Sequence, residues 1–334
     1  MNLDRAVETE EFHRKSLIIN STNWALKKGI VSFCDERNKQ EYSKQLDVAA
    51  QNVGLLVDNL LNFNIMHLPV LGSGIMGWAK NYFHSQNSCK DKEKYLVYTN
   101  LDNKIPFIPE EDVMYTYMIA QLAYIGRKMS EHLPVRDMKK LVDSFIDISA
   151  LGTEAFDVAP TIMPRFHNHN RINLKVIQAL DKPLTCCPSL HIAYSLLLDN
   201  VAENLLKDKL EPEVLNSIRY SSKRMFNSVL YTKQHSLIDI AFGTLASKIS
   251  FENNFDKEFN DFTEFYAELQ GENPHVNYGK LYDMYLEALY NYEENLDFGD
   301  AVLNYFEDHD FPRVRPGVSI DHCWFDMKKG KICC

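Results

Sequence analysis

The residues in this chain best suited to chemistry stand in two short runs. The first is Cys187-Pro188-Ser189-Leu190-His191, and the second is Lys233-Gln234-His235-Ser236-Leu237-Ile238-Asp239. Ile192 to Leu198, after the first run, read as a buried helix. Pro188 suits its first turn, where a missing N–H costs nothing. The N–H groups of Ser189, Leu190 and His191 then crowd at the positive end of the helix, a place that binds anions. Ser189 adds a hydroxyl donor, and His191 can give a proton to a departing oxygen. In the second run His235 and Asp239 are four residues apart and share one face of a helix. A carboxylate there fixes the imidazole tautomer and makes the other ring nitrogen a better nucleophile. Lys233 brings positive charge for phosphoryl oxygens. Together the two runs describe phosphoryl transfer by side chains, without a metal. The same residue types also have a plainer use: a buried His beside an Asp serves as a core pair, and Pro188 with Ser189 serves to start a helix.

These residues also carry a family resemblance. The chain resembles the type-2 phosphatidic-acid-phosphatase/haloperoxidase superfamily, all-helical proteins with three short motifs. Its Pro-Ser-x-His motif is matched by Pro188, Ser189 and His191. Its Ser-Arg motif, with His and Asp at fixed spacing, is matched by Ser228, His235 and Asp239, with Val229 where the arginine belongs. The remaining motif appears in altered form. Pro160-Thr161-Ile162-Met163-Pro164-Arg165 is similar to the version in the inositol-phosphorylceramide-synthase-like branch, and Val158 stands where a lysine belongs. The resemblance spans residues 105 to 250. It implies a nucleophilic His235 oriented by Asp239, with His191 as the acid for the leaving group. It implies a phosphoryl group held by Arg165, Ser189, Lys233 and the backbone of Leu190. Lys233 or Arg171 would replace the two absent cations, and Ser228 is a secondary site residue.

The elements that must position these groups read as helices throughout: an all-α protein, a helical bundle of the phosphatidic acid phosphatase/haloperoxidase type with extra N- and C-terminal helices. Apolar spacing predicts helices over 4–30, 40–64, 110–131 and 135–151. Leu71-Gly72-Ser73-Gly74 reads as a break and 86–109 as a polar linker. The stretch 203–226 reads as polar and amphipathic. Three regions follow: an extension over 1–104, a motif-bearing core over 105–250, and an acidic, aromatic-rich region over 251–334. The aromatic stripe from Phe251 to Tyr266 reads as core, with a greasy substrate tunnel as the alternative.

A formal charge of −10 and the lack of a basic stretch argue against nucleic acid as a partner. Seven cysteines, four in adjacent pairs, make no disulfide framework and suit a reducing compartment. The acidic N-terminus is no secretory signal. No window offers about 18 uninterrupted apolar residues, so a soluble, cytoplasmic protein is expected. The tail Lys328-Lys329-Gly330-Lys331-Ile332-Cys333-Cys334 resembles a double-cysteine lipidation signal and points to a peripheral membrane contact. The expected activity is a metal-independent phosphatase or phosphotransferase acting on a lipid or prenyl phosphate, with no cofactor. Two alternatives stand beside it. One is a terpene synthase-like enzyme, which would need magnesium and to which Asn260-Asp261 and Glu264-Glu268 are a near match. The other is a non-catalytic module that binds a lipid phosphate.

Overall fold

The computed structural model describes residues 39–181, 183–260, 262–295 and 297–334. The helix expected over 4–30 lies outside the described residues, as does the acidic N-terminus. Eleven α-helices occupy the described residues. The first five are α1 (Lys39–Leu61), α2 (Leu68–Ser88), α3 (Asp112–His132), α4 (Val135–Val158) and α5 (Ile172–Leu180). The two motif runs open α6 (Leu190–Val201) and α8 (Leu237–Phe255), with α7 (Pro212–Tyr231) between them. The chain goes on through α9 (Phe262–Glu272), α10 (Tyr278–Asn295) and α11 (Phe298–Asp308). With 68% of the described residues helical and 5% in strands, they are of the all-α class.

The motif helices occupy the centre because they are apolar on every side. Ile192 to Val201 of α6 are all buried, as is α8 from Leu237 to Ser247. The two pack against each other, α4 packs on both, α7 covers α6, and α10 covers α8. Gly243 sets how closely α6 and α8 meet. A Cβ there would stand 2.6 Å from the Ser189 carbonyl oxygen. Farther out, α1 lies on α3, while α2 and α11 both lie on α4. The packing therefore crosses the region boundaries expected after residues 104 and 250.

Several expectations need correction. The glycine run at 71–74 is no break; it lies inside α2, where Gly74 and Gly77 let the helix close on Val142 and Ile146 of α4. The expected amphipathic stretch 203–226 is divided into a π-helical turn, Ala202–Leu206, and α7, which starts with Pro212 in its first turn. The expected linker 86–109 carries β1 (Lys94–Leu96), which pairs in parallel with β2 (Thr161–Ile162) and antiparallel with β3 (Arg313–Val314). Tyr95, Leu96, Val97 and Tyr98 are all buried. Pairing from two sides satisfies this backbone, so the segment can enter the core without being a helix.

The C-terminus is also not the free tail expected. β4 (Trp324–Asp326) and β5 (Lys331–Cys333) form a hairpin, closed by a Cys323–Cys334 disulfide. That bond departs from the expectation of reduced cysteines and occupies one of the two cysteines assigned to lipidation. The hairpin docks through Phe325, whose N–H donates to the Tyr98 carbonyl at 2.8 Å and whose carbonyl accepts from the Asn100 N–H at 2.9 Å. The aromatic stripe is core. Phe251, Phe255, Phe259, Phe262, Phe265 and Tyr266 are buried in successive ring contacts, joined by Tyr278 and Tyr285. Among the described residues no helix is long and apolar enough to cross a membrane.

Candidate functional site

Ser236 is the N-cap of α8, and a reciprocal capping box with Asp239 starts the helix. The Ser236 hydroxyl accepts from the Asp239 N–H, and Asp239 Oδ2 accepts from the Ser236 N–H at 2.8 Å. His235 therefore stands just before the helix, not on its face. The sharp turn that puts it there runs through Lys233, which has φ of 53°. His235 still meets Asp239, because the capping box folds that carboxylate back over the turn. His235 Nδ1 lies 3.3 Å from Asp239 Oδ2 and 3.1 Å from the Cys186 carbonyl oxygen.

Both neighbours of Nδ1 are acceptors, so Nδ1 carries a proton, and the neutral form of the ring has its lone pair on Nε2. Nε2 is buried and has no hydrogen-bond partner. His235 lines a cavity of about 40 Å³ together with His191, Asp181, Ser85, Ser149 and Thr153. Phe156, Leu190 and Thr185 complete its wall. That is room for roughly three waters, the scale of the three free oxygens of a phosphoryl group. Three further buried atoms around the same turn lack partners: Arg165 Nε, Gln234 Oε1 and Asp239 Oδ1. Orphaned polar atoms are uncommon in folded interiors, and a cluster of them marks a place completed by water or ligand.

The first run starts α6 in a different way from the one its spacing suggests. Ser189, not Pro188, is the N-cap, and its hydroxyl accepts from the Ile192 N–H at 3.5 Å. Pro188 precedes the cap, after a cis bond to Cys187. The Ser189 N–H is not available to an anion, since it donates to the Asp239 carbonyl at 2.8 Å. That bond ties the start of α6 to the first turn of α8 and so fixes one motif against the other. His191 lies with its ring centroid 5.9 Å from that of His235. Burial, helped by the charge of Arg165 and opposed by Asp181, pushes His191 down to about 3.

The structure brings His191, His235, Asp239, Leu190 and Ser189 together, but it sets the expected cations to other work. Lys233 Nζ donates to the carbonyls of Asp102 at 2.7 Å and Ile105 at 2.5 Å, and lies over the Tyr98 and Phe166 rings. Burial lowers it to about 8, and the Asp102 charge opposes that fall. Arg171 forms a two-pronged pair with buried Asp112, at 2.7 and 3.2 Å. Ser228 donates to the Glu111 carbonyl at 2.5 Å. Arg165 stays beside the site. It braces the histidine turn through the Lys233 and Gln234 carbonyls, reaches the Asp181 carbonyl at 3.2 Å, and keeps Nε unspent.

Three contributors have no signal in the motif runs. Asp102 joins the turn from 135 residues away, accepting from the Leu237 N–H at 2.7 Å and from the Thr99 N–H and hydroxyl at 2.8 and 2.7 Å. Burial raises its carboxyl, against the pull of the Thr99 and Leu237 bonds and the Lys233 charge. Tyr115 stacks on His191 with ring centroids 3.8 Å apart and donates its hydroxyl to Asp181. Asp181 ends α5 at the cavity wall. A pairing of strand, loop and helix this distant leaves no periodic trace in a sequence.

The near match to a magnesium motif lies elsewhere. Asn260 is bonded to Asn200 and Asn204, and Glu268 pairs with Lys223. Neither lines the cavity, and Asp261 lies outside the described residues. Among the described residues no group of three or more His, Cys, Asp or Glu side chains is placed to hold a metal ion. No family model, curated protein or solved structure matches the chain.

Proposed function

We propose that this protein is a metal-independent phosphatase or phosphotransferase of the type-2 phosphatidic-acid-phosphatase/haloperoxidase kind, acting through a histidine nucleophile on a hydrophobic phosphate or diphosphate ester. One observation carries the proposal: His235 faces two acceptors with Nδ1, buries Nε2 without a partner, and lines a cavity of phosphoryl size. A neutral imidazole so oriented is a nucleophile or general base. His191, on the same wall, is placed to act on the leaving oxygen. Leu190 and His191 open α6, where the first N–H groups have no partner within the helix. These N–H groups and Arg165 Nε are the donors for the phosphoryl oxygens. The apolar wall at Phe156 and Leu190 favours an ester whose organic part is greasy, and the small cavity leaves the length of a lipid or prenyl tail outside it.

The test is phosphate release from a panel of lipid phosphates and prenyl mono- and diphosphates, with and without a chelator. Chelator-resistant release by the wild-type protein, lost in His235→Ala, together with a phosphorus–nitrogen adduct on His235 after acid-free quenching, is the expected result. Release that survives in His235→Ala rejects the mechanism. A cyclised hydrocarbon product would move the protein to terpene chemistry, and tight binding without turnover would make it a lipid-phosphate binding module.

A further inference from the structure

His191 occupies an acid's place in the cavity without an acid's charge. Burial first, and then the positive charge of Arg165, hold its ring neutral at pH 7. Four groups face it: Tyr115 from α3, His235 from the turn before α8, and Arg165 and Asp181 from the loops on either side of α5. Of the ionisable neighbours only Asp181 favours the charged ring.

The Tyr115 ring lies over the His191 imidazole at 3.8 Å between centroids and 33° between planes. The Tyr115 hydroxyl donates to Asp181 Oδ2 at 3.0 Å, and that oxygen lies 3.9 Å from Arg165 Nη2. Asp181 is thus clamped from two sides, and it lines the same small cavity as His191 and His235. A neutral histidine beside a phosphate cannot protonate a leaving alkoxide; something must favour the imidazolium while the ester is bound. Phosphate charge supplies part of this, and a fixed carboxylate in the wall supplies the rest.

We infer that Asp181 and Tyr115 are a positioning pair for His191: Tyr115 holds the ring in the plane of the leaving oxygen, and Asp181 supplies the standing negative charge that lets His191 carry a proton in the ester complex. The inference rests on the phosphoryl-transfer function proposed above and adds the source of its acid. In the first step the His235 Nε2–phosphorus bond forms, the bond from phosphorus to the leaving oxygen breaks, and the His191 proton goes to that oxygen. That proton comes with the ester, from the protonated phosphate oxygen of its monoanion. In the second step water attacks phosphorus, one of its protons goes to His191, the phosphorus–Nε2 bond breaks, and His191 hands that proton to an oxygen of the departing phosphate. The products are an alcohol and phosphate, and both histidines are restored.

The experiment compares phenyl phosphate with p-nitrophenyl phosphate, whose organic parts differ little in bulk. Phenol needs a proton as it leaves; p-nitrophenol departs readily as its anion. In Asp181→Asn, turnover of phenyl phosphate is expected to fall about 30-fold, within the range general acid catalysis covers, and that of p-nitrophenyl phosphate less than about threefold. Tyr115→Phe keeps the ring but removes the hydroxyl, so it is expected to give a smaller loss with the same bias and guards against misfolding of the first variant. Equal losses on both esters in both variants would reduce the pair to a structural role and overturn the inference. Wild-type silence on both esters and on the lipid and prenyl phosphate panel would remove the phosphoryl-transfer function and this inference with it. An active wild type with unbiased variants removes the inference alone.

Discussion

The proton on His235 is held between a carboxylate and a carbonyl, and that pairing makes specific demands on residue 239. In Asp239→Asn an amide N–H can face Nδ1 and move the lone pair away from the cavity. Turnover is expected to fall by about 10²–10⁴-fold, as when the orienting carboxylate of a serine-protease triad is replaced by its amide. The fold should persist, because the Ser236 hydroxyl still caps α8 through the N–H of residue 239. Steady-state kinetics beside a melting curve separate the two effects. His191 gives a prediction with a definite sign. Its ordinary value of 6.5 applies to the unfolded chain and its folded value is about 3. Between those values the unfolded state binds more protons, so this contribution to stability is present above about pH 6.5 and is lost as pH falls toward 3. The slope is at most about 1.4 kcal/mol per pH unit for one group. Denaturant midpoints at pH 7 and pH 5 should differ more in the wild type than in His191→Gln. Equal differences would mean that His191 is charged in the fold.

Two contacts between elements hold the motif turns in register, and neither involves a catalytic atom. Gly243 on α8 lies where a side chain would strike the Ser189 carbonyl. Gly243→Ala must push α6 away or strain the turn, an overpacking effect of about 1–3 kcal/mol. It should also lengthen the distance between His191 and His235 and lower turnover beyond what the stability loss explains. A variant with wild-type melting and activity would show that the two helices slide freely. Asp102 is the second contact, joining the strand-side loop to the start of α8. Asp102→Ala leaves Lys233 buried beside a lost carboxylate and the Leu237 N–H unpaired. Removing one partner of a buried charged network costs about 3–5 kcal/mol, measurable by urea unfolding.

Across the molecule, the C-terminal hairpin reaches back to the same loop. Phe325 pairs with Tyr98 and Asn100, and Asp102 follows two residues later. The Cys323–Cys334 bond closes this hairpin over a sequence separation of 11, which corresponds to about 3 kcal/mol of unfolded-state restraint. Cys334→Ser should therefore lower the unfolding free energy by up to that amount. Among the described residues Cys333 is the one free cysteine that is not buried. A thiol reagent applied to native protein should label Cys333 before Cys89, Cys186 or Cys187, and peptide mapping would show it. Early labelling of Cys323 or Cys334 would contradict the disulfide.

How much of this was open to reading depended on the range of the interaction involved. Helices α3 and α4 were legible within a turn or two at most boundaries, because their apolar spacing is a local property. The meeting of His235 with Asp239 was legible too, since four residues of chain separate them, although a capping box and not a shared helix face brings them together. Lys233, Arg171 and Ser228 were misplaced. Residue type and spacing say that a cation is near phosphate, but only the neighbours it meets say where its charge is used. β1 went unread because three buried residues in a polar stretch make no pattern until β2 and β3 satisfy their backbone. Asp102, Tyr115 and Asp181 lay beyond sequence reasoning for the same reason: each acts across a long separation. The sequence by itself determined the all-α class, the central motif helices and the histidine–aspartate pair, all set by short-range patterning and burial. The tertiary structure alone decided which cations are spent in the core, which tyrosine and carboxylate face His191, and how the C-terminus is tied, because those depend on contacts between segments that only folding brings together.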